Sequence, residues 1–220
     1  LREVLLYTNA HSNNFVADRL GAFLGGPQAI ARLLIEELSL PPEQVSLETA
    51  SGLYNNRMTP RGVLIAIKAL IEEGARHGLK ADDLMPVVGC DWGTVRRRME
   101  GTGFECALVG KTGTLTTTDG GMSNLAGMVF TKDSEPILFA ILAQGNRIWE
   151  HKQMADQLLA ETIREHQPAP LLDRETRRQL LPPNSLRIEP KSQIPGSTSQ
   201  VTGSKSQVSS PKSQVPSSKS

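Results

Sequence analysis

Aromatic residues are scarce in this chain of 220 residues, at 4%. That scarcity argues against the base-stacking surfaces of single-strand nucleic-acid binders. An excess of charge is missing too, since 24 Lys and Arg face 23 Asp and Glu. No global field is present to recruit nucleic acid or an anionic membrane. No apolar run reaches membrane-spanning length, and no basic segment with an apolar core and cleavage site follows Leu1. Cysteine is nearly absent. Cys90 and Cys106 are too few for a disulfide framework or a four-ligand zinc site. Their plain reading is two buried thiols, with one disulfide as the alternative in an oxidising compartment. The four histidines, His11, His77, His151 and His166, are scattered without ligand spacing. There is no G-x-S-x-G elbow, no H-E-x-x-H and no phosphate-cradling G-x-x-x-x-G-K-[ST]. No metal and no cofactor is expected.

What is present divides near Gln167. Residues 168–220 are mixed in Ser, Gln, Lys and Pro, and their last thirty hold four Lys and no acidic residue. Such a stretch buries too little apolar surface to offset its chain entropy. It is predicted to be a linker and a disordered tail, too weakly basic to bind an anionic polymer firmly. Residues 1–167 are predicted to be globular. "FVADRLGAFL" has helical spacing and stops at "GGP". "PQAIARLLIEELSL" reads as a second amphipathic helix ending before Pro41. "TPRGVLIAIKALIEEG" is a third, with Thr59 as N-cap, Pro60 in the first turn and Gly74 as its stop. The period then changes. "ECALVGKTGTLT", "NLAGMVFTKD" and "EPILFAILAQG" read as strands, with a hairpin turn at Lys132 to Glu135. "WEHKQMADQLLAETIREH" closes the region as a helix with Trp149, Met154, Leu158 and Ile163 near one face. A helical region, a three-strand antiparallel meander and a final helix make an α+β fold.

Three segments have residues suited to chemistry. In "GKTGTL", Lys111 and Gly113 share one face of the strand while Thr112 and Thr114 share the other. A Lys with Thr hydroxyls and open backbone N–H groups makes an edge that holds a carboxylate, along which an extended peptide can lie. A solvated edge lysine is the plainer reading. In "HSNN", Ser12 or Asn13 caps the following helix, and Ser12 and Asn14 also offer a hydroxyl and an amide from a loop. "ETASGLYNNRMTP" suits a structured loop, and nothing in it demands chemistry.

Ser12-Asn13-Asn14, Ser51-Gly52-Leu53 and Lys111-Thr112-Gly113-Thr114, in that order on helix, loop and strand, resemble the penicillin-binding proteins of the D-alanyl-D-alanine carboxypeptidase/endopeptidase type. The likeness spans residues 1–165 and includes "LMPVVGCDWGTVRRRMEGTG" before the Lys-Thr-Gly strand. It implies a β-lactamase/transpeptidase-like fold and a serine hydrolase. Its substrate would be a peptidoglycan stem peptide ending in D-Ala-D-Ala, with β-lactams as further ligands and an extracytoplasmic or periplasmic location. By the same resemblance Ser12 relays a proton, Asn14 holds a substrate amide and Lys111 places positive charge beside Ser12. Thr112 and Thr114 bind the terminal carboxylate, Gly113 leaves room for the peptide, and the Thr114 N–H belongs to the oxyanion hole. Asn13 stands where relatives often have Asp, and "TTTDGGMS" lengthens the hairpin after the strand. One departure is large. The family's Ser-x-x-Lys nucleophile motif should precede Ser12, and the only literal match, Ser209 to Lys212, lies in the tail. The chain by itself is therefore expected to lack the family's nucleophile and its activity. The domain would be incomplete at its N-terminus, with the last apolar strand an open edge. The alternatives are a non-catalytic module for D-Ala peptides and a β-lactamase relative.

Overall fold

The break between the first two helices shows how the sequence sets the frame. In the computed structural model, which describes residues 1–132 and 135–171, α1 (Arg2–His11) ends where Ser12 turns left-handed at φ 52°. Asn13 then caps α2 (Asn14–Phe23) by accepting a hydrogen bond from the Val16 N–H. Short polar side chains compete with helical hydrogen bonds, so "SNN" stops one helix and starts the next. After the glycine pair, α3 (Gly26–Arg32) runs into π-helical turns at Leu33–Glu37. The single α-helix expected over 27–40 is thus widened at its end. Leu38 N–H donates to Leu33 and Leu40 N–H to Leu34, and Leu34 and Leu40 join Val45 in one apolar cluster.

A short pair follows, β1 (Val45–Ser46) with β2 (Arg57–Met58). α4 (Pro60–Arg76) starts as expected, with Thr59 accepting from Gly62 N–H. Its end is a correction. Gly74 lies inside the helix, where a Cβ would sit 2.6 Å from Leu84 Cδ1, so it admits the packing of α5 (Ala81–Leu84). The left-handed residue that ends the run is Gly78, at φ 72°. A glycine marks a helix end only when the backbone turns there; buried contact is its other use. Asn9 Nδ2 donates to the Leu84 carbonyl at 2.8 Å and fastens α1 to α5.

The three expected strands form an antiparallel meander in chain order, β3 (Leu108–Leu115), β4 (Met122–Val129) and β5 (Ile137–Gln144). Asp133 and Ser134 of the expected hairpin turn lie outside the described residues. One face of the sheet, with Leu108, Leu125, Val129 and Phe139, packs on α6 (Ile148–Ile163) through Leu159, Ala160 and Ile163. The other face, with Val109, Ala126 and Met128, packs on Ile67 of α4. The face expected for α6 is corrected. Ile163 is buried, but Trp149, Met154 and Leu158 are 69%, 50% and 50% exposed, and the core positions are Ala155, Leu159 and Ala160. Among the described residues β5 pairs on one side only, so its apolar strand is an edge. The packed chain continues past α6: Ala169 N–H donates to Phe130 and Leu171 N–H to Cys106. The expectation of a disordered tail falls otherwise on residues 172–220, outside the described ones.

Between α5 and β3 the chain has no long regular element, yet most of it is buried. Val87 N–H donates to the buried Asp91 carboxylate at 2.8 Å, and Arg98 pairs with Asp156 of α6 through Nε at 2.9 Å and Nη2 at 2.7 Å. Cys90 and Cys106 are joined as a disulfide, which replaces the reading of two free thiols. The bridge closes a loop with a sequence separation of 16. A loop of that size stabilises by about 3 kcal/mol in the chain-entropy account. Reduction is therefore expected to lower the melting temperature by about 6–12 °C, measured by calorimetry with and without dithiothreitol. An unchanged melt would show that the bridge carries no stability.

Candidate active site

The site grows from the end of α1. The Ala10 carbonyl is one of the acceptors that a helix C-terminus leaves open. It accepts the Thr94 N–H at 2.9 Å. Gly93 makes this approach possible: at φ 110°, a Cβ there would lie 2.0 Å from the Ala10 oxygen. The contact fixes the turn that carries Ser12, and Ser12 Oγ lies 2.8 Å from Lys111 Nζ. Lys111 Nζ also donates to the Thr112 carbonyl at 2.5 Å. The structure thus brings Ser12 and Lys111 together across 99 residues of chain.

Lys111 is the group whose acidity the fold changes most visibly. Burial disfavours its charged form and pushes its pKa down from 10.5 to about 8. Both hydrogen-bond partners, a hydroxyl and a carbonyl, are neutral. The amine donates to both, to the Ser12 hydroxyl oxygen and to the Thr112 carbonyl.

Thr112 points to the opposite face. Its side chain is buried, and its hydroxyl meets the Thr94 hydroxyl at 2.6 Å. Thr94 and Thr114 are exposed. Thr94 was not singled out by the sequence motifs. Its only signal was its place in the segment before the Lys-Thr-Gly strand. Gly113 stands opposite Asn124, and a Cβ on it would touch the Asn124 side chain at 3.4 Å. Its missing side chain would stand beside that of Asn124 on the same face of the sheet.

The outer edge of β3 is half covered. Gly110 N–H donates outward to the Pro86 carbonyl, and Val88 N–H donates to Leu108. Strand alternation turns the N–H groups of Thr112 and Thr114 outward as well. The covering segment stops at the bridge of Val87 with Val109, so among the described residues the edge beside Thr112 and Thr114 is open. Asn14, the first residue of α2, joins Ser12 and Lys111 in lining a cavity of about 410 Å³. Ser51 and Gly52 line it too, so all three sequence segments meet here. Ser51 N–H donates to Asp18 of α2 at 2.8 Å, and Asn56 Oδ1 accepts from Glu48 and Thr49 to shape that loop. Ile30, Leu34 and Met58 add apolar side chains to the lining. A larger depression of about 860 Å³ lies between the loop around Arg97 and α6. It does not include Ser12 or Lys111, so the smaller cavity is where the reactive groups converge.

The lowered pKa has a stability consequence. Below about pH 8 both folded and unfolded chains carry the Lys111 proton, and the fold bears the full cost of burying the charge. Between about 8 and 10.5 the unfolded state binds more protons, so this lysine's contribution to stability improves as pH rises. The stability of the native chain relative to K111M is expected to increase from pH 8 to 10.5 in urea unfolding. A flat or falling difference would contradict the burial of this amine.

The sequence matches the D-Ala-D-Ala carboxypeptidase 3 (S13) family over residues 1–164. No curated protein matches the chain. Among solved structures it is similar to the Bd0816 predatory endopeptidase from Bdellovibrio bacteriovorus, in complex with the immunity protein Bd3460. The TM-score is 0.69 and the identity 24%, over 79% of this chain and 46% of that one. It is similar to the penicillin G-acylated Bd3459 predatory endopeptidase of the same organism, in complex with Bd3460. That TM-score is 0.70 and the identity 21%, over 78% of this chain and 48% of that one. A class A β-lactamase from Clostridium kluyveri follows, with TM-score 0.52 and 18% identity over 74% of this chain and 65% of that one. These likenesses establish a β-lactamase/transpeptidase-like fold. The chain spans less than half the length of the two endopeptidases.

Proposed function

Because the chain belongs to the D-Ala-D-Ala carboxypeptidase 3 (S13) family, we propose that it forms the peptide-binding part of a serine-type D-Ala-D-Ala carboxypeptidase/endopeptidase site. The substrate is a peptidoglycan stem peptide ending in D-Ala-D-Ala, and the reaction is acyl transfer through a serine ester. The observation that carries this reading is the open edge of β3, with Lys111 Nζ held 2.8 Å from Ser12 Oγ beside it. An extended peptide adds to that edge as a strand and bonds the outward N–H groups of Thr112 and Thr114. Its terminal carboxylate meets the hydroxyls of Thr114 and of the Thr94–Thr112 pair, within reach of the Lys111 charge. Asn14 supports a substrate amide from the cavity wall. Ser12, in contact with Lys111, relays a proton toward the leaving amine. The Thr114 N–H is aimed at the oxygen that becomes negative in the tetrahedral intermediate.

β-Lactams are ligands of the same edge, since they too present a carboxylate near an acyl carbonyl. The work is extracytoplasmic, which agrees with the Cys90–Cys106 disulfide. Among the described residues no helix is long and apolar enough to cross a membrane.

The reading is tested by binding. An N-acetylated tripeptide ending in D-Ala-D-Ala is expected to bind the chain in calorimetric titration, and its L-Ala-L-Ala counterpart more weakly. T114P removes an outward N–H without breaking a bond to β4, so it should weaken binding about tenfold. Equal binding of both peptides, or no effect of T114P, would remove the edge from the mechanism.

A further inference from the structure

The larger depression, of about 860 Å³ between the loop around Arg97 and α6, meets the β3 edge at Thr94. The Thr94 hydroxyl touches that of Thr112 at 2.6 Å, and Thr94 also lines the depression. Past Thr94 the lining turns cationic. Arg97, Lys152 and Arg164 lie there, and none of them has a salt bridge among the described residues. Arg98 is 5% exposed and gives Nε and Nη2 to Asp156, while its Nη1 has no acceptor among the described residues. A buried guanidinium N–H seldom stays without one. Glu100 and Glu161 are the other carboxylates of the lining, so the balance of charge is positive. Trp149, 69% exposed, adds a flat apolar surface, and Gln153 and Gln157 add amides. Cations, an indole and amides in one depression suit an acidic peptide.

We propose that this depression is a subsite for an acidic peptide attached to the leaving residue of the substrate. The inference rests on the reading of the β3 edge as the peptide site, and it names the class of substrate that the edge serves. A leaving D-Ala has a methyl side chain and nothing to place beyond Thr94. The leaving residue of a cross-link carries a second peptide on its side chain. With that residue's own carboxylate at the Thr94–Thr112 hydroxyls, its side chain leads past Thr94 into the depression. Carboxylates of the second peptide then meet Arg97, Lys152 and Arg164, and its apolar parts lie against Trp149. Single exposed ion pairs contribute little, so the selectivity comes from several cations acting together. The Arg98–Asp156 pair fixes the loop to α6 and so keeps the spacing between Arg97 on one side and Lys152 and Arg164 on the other. The site thereby favours cross-linked acidic peptides over those that lose a single D-Ala.

Three probes are titrated into the full chain by calorimetry. The first is the N-acetylated tripeptide ending in D-Ala-D-Ala. In the second, the last residue is D-Lys, with a free α-carboxylate and an acetyl-Glu-Glu group on its side-chain amine. The third carries acetyl-Gln-Gln there instead. The second is expected to bind about fivefold tighter than the third, by an advantage that shrinks as salt rises. R97Q/K152Q removes the advantage and leaves binding of the first probe unchanged, with melting curves confirming that the fold is kept. Equal binding of the second and third probes would overturn the proposal, as would a difference that persists in R97Q/K152Q. If the first probe does not bind, the reading of the β3 edge falls, and the depression is tested by itself. Acetyl-Glu-Glu amide alone is expected to shift the NMR signal of the Trp149 indole N–H, identified with W149F, and to lose this effect in R97Q/K152Q. No shift in the native chain would overturn the subsite as well.

Discussion

A single backbone hydrogen bond, from Thr94 N–H to the Ala10 carbonyl, holds the site in register. It joins the end of α1 to the irregular segment before β3. That segment is then fastened on three further sides. Gly110 bonds to Pro86, Thr112 meets Thr94, and Arg98 grips Asp156 of α6. The disulfide ties its two ends together. Ser12 follows Ala10 by two residues, so its position over Lys111 is inherited from this frame. Gly93 is the sequence requirement for it, because any side chain would strike the Ala10 oxygen. A helix C-terminus that must place a reactive residue cannot leave its carbonyls to water alone. Here one of them is used as the anchor.

The electrostatics follow from that placement. Lys111 is carried inward by the strand and finds only neutral partners. A carboxylate beside it would favour the charged amine and hold its pKa up. Neutral partners leave desolvation as the dominant influence, and the amine's pKa falls to about 8. The arrangement costs stability in the resting protein, which is common where reactive groups are buried. The surrounding segment offsets that cost through its disulfide and the Arg98–Asp156 pair.

How much of this was readable in the sequence depended on whether the signal was local. The Thr59 cap, the three strands and the Asn13 helix start are set by residues a few positions apart, and the structure has them where the pattern put them. Lys111 and Thr112 fell on opposite faces for the same reason, since a strand alternates. The failures concern neighbours distant in sequence. Gly74 faces Leu84 rather than ending its helix, which no local rule reveals. The apolar stripe of α6 was placed on the wrong side because Trp149, Met154 and Leu158 are larger than Ala155 and Ala160. Close packing of a helix on a sheet selects small residues, so size misleads where contact is tightest. The segment around Gly93 and Thr94 has no periodicity at all. Its shape is written in contacts with Ala10, Gly110, Thr112 and Asp156, each supplied by another part of the chain.

The alternation of β3 also explains how one strand can serve two tasks. Odd residues look toward the helices, where Lys111 reaches Ser12. Even residues look toward α6, where Thr112 meets Thr94. Between the two faces runs the open edge, whose N–H groups belong to neither. In the proposed reading, a peptide laid along that edge has Ser12 and Lys111 on one flank and the hydroxyls of Thr94 and Thr112 on the other. Moving the strand by one residue relative to β4 would exchange the flanks and place a lysine in the α6 core. The pairing of Lys111 with Ala126 and of Thr112 with Leu125 is thus as much a part of the site as the side chains themselves.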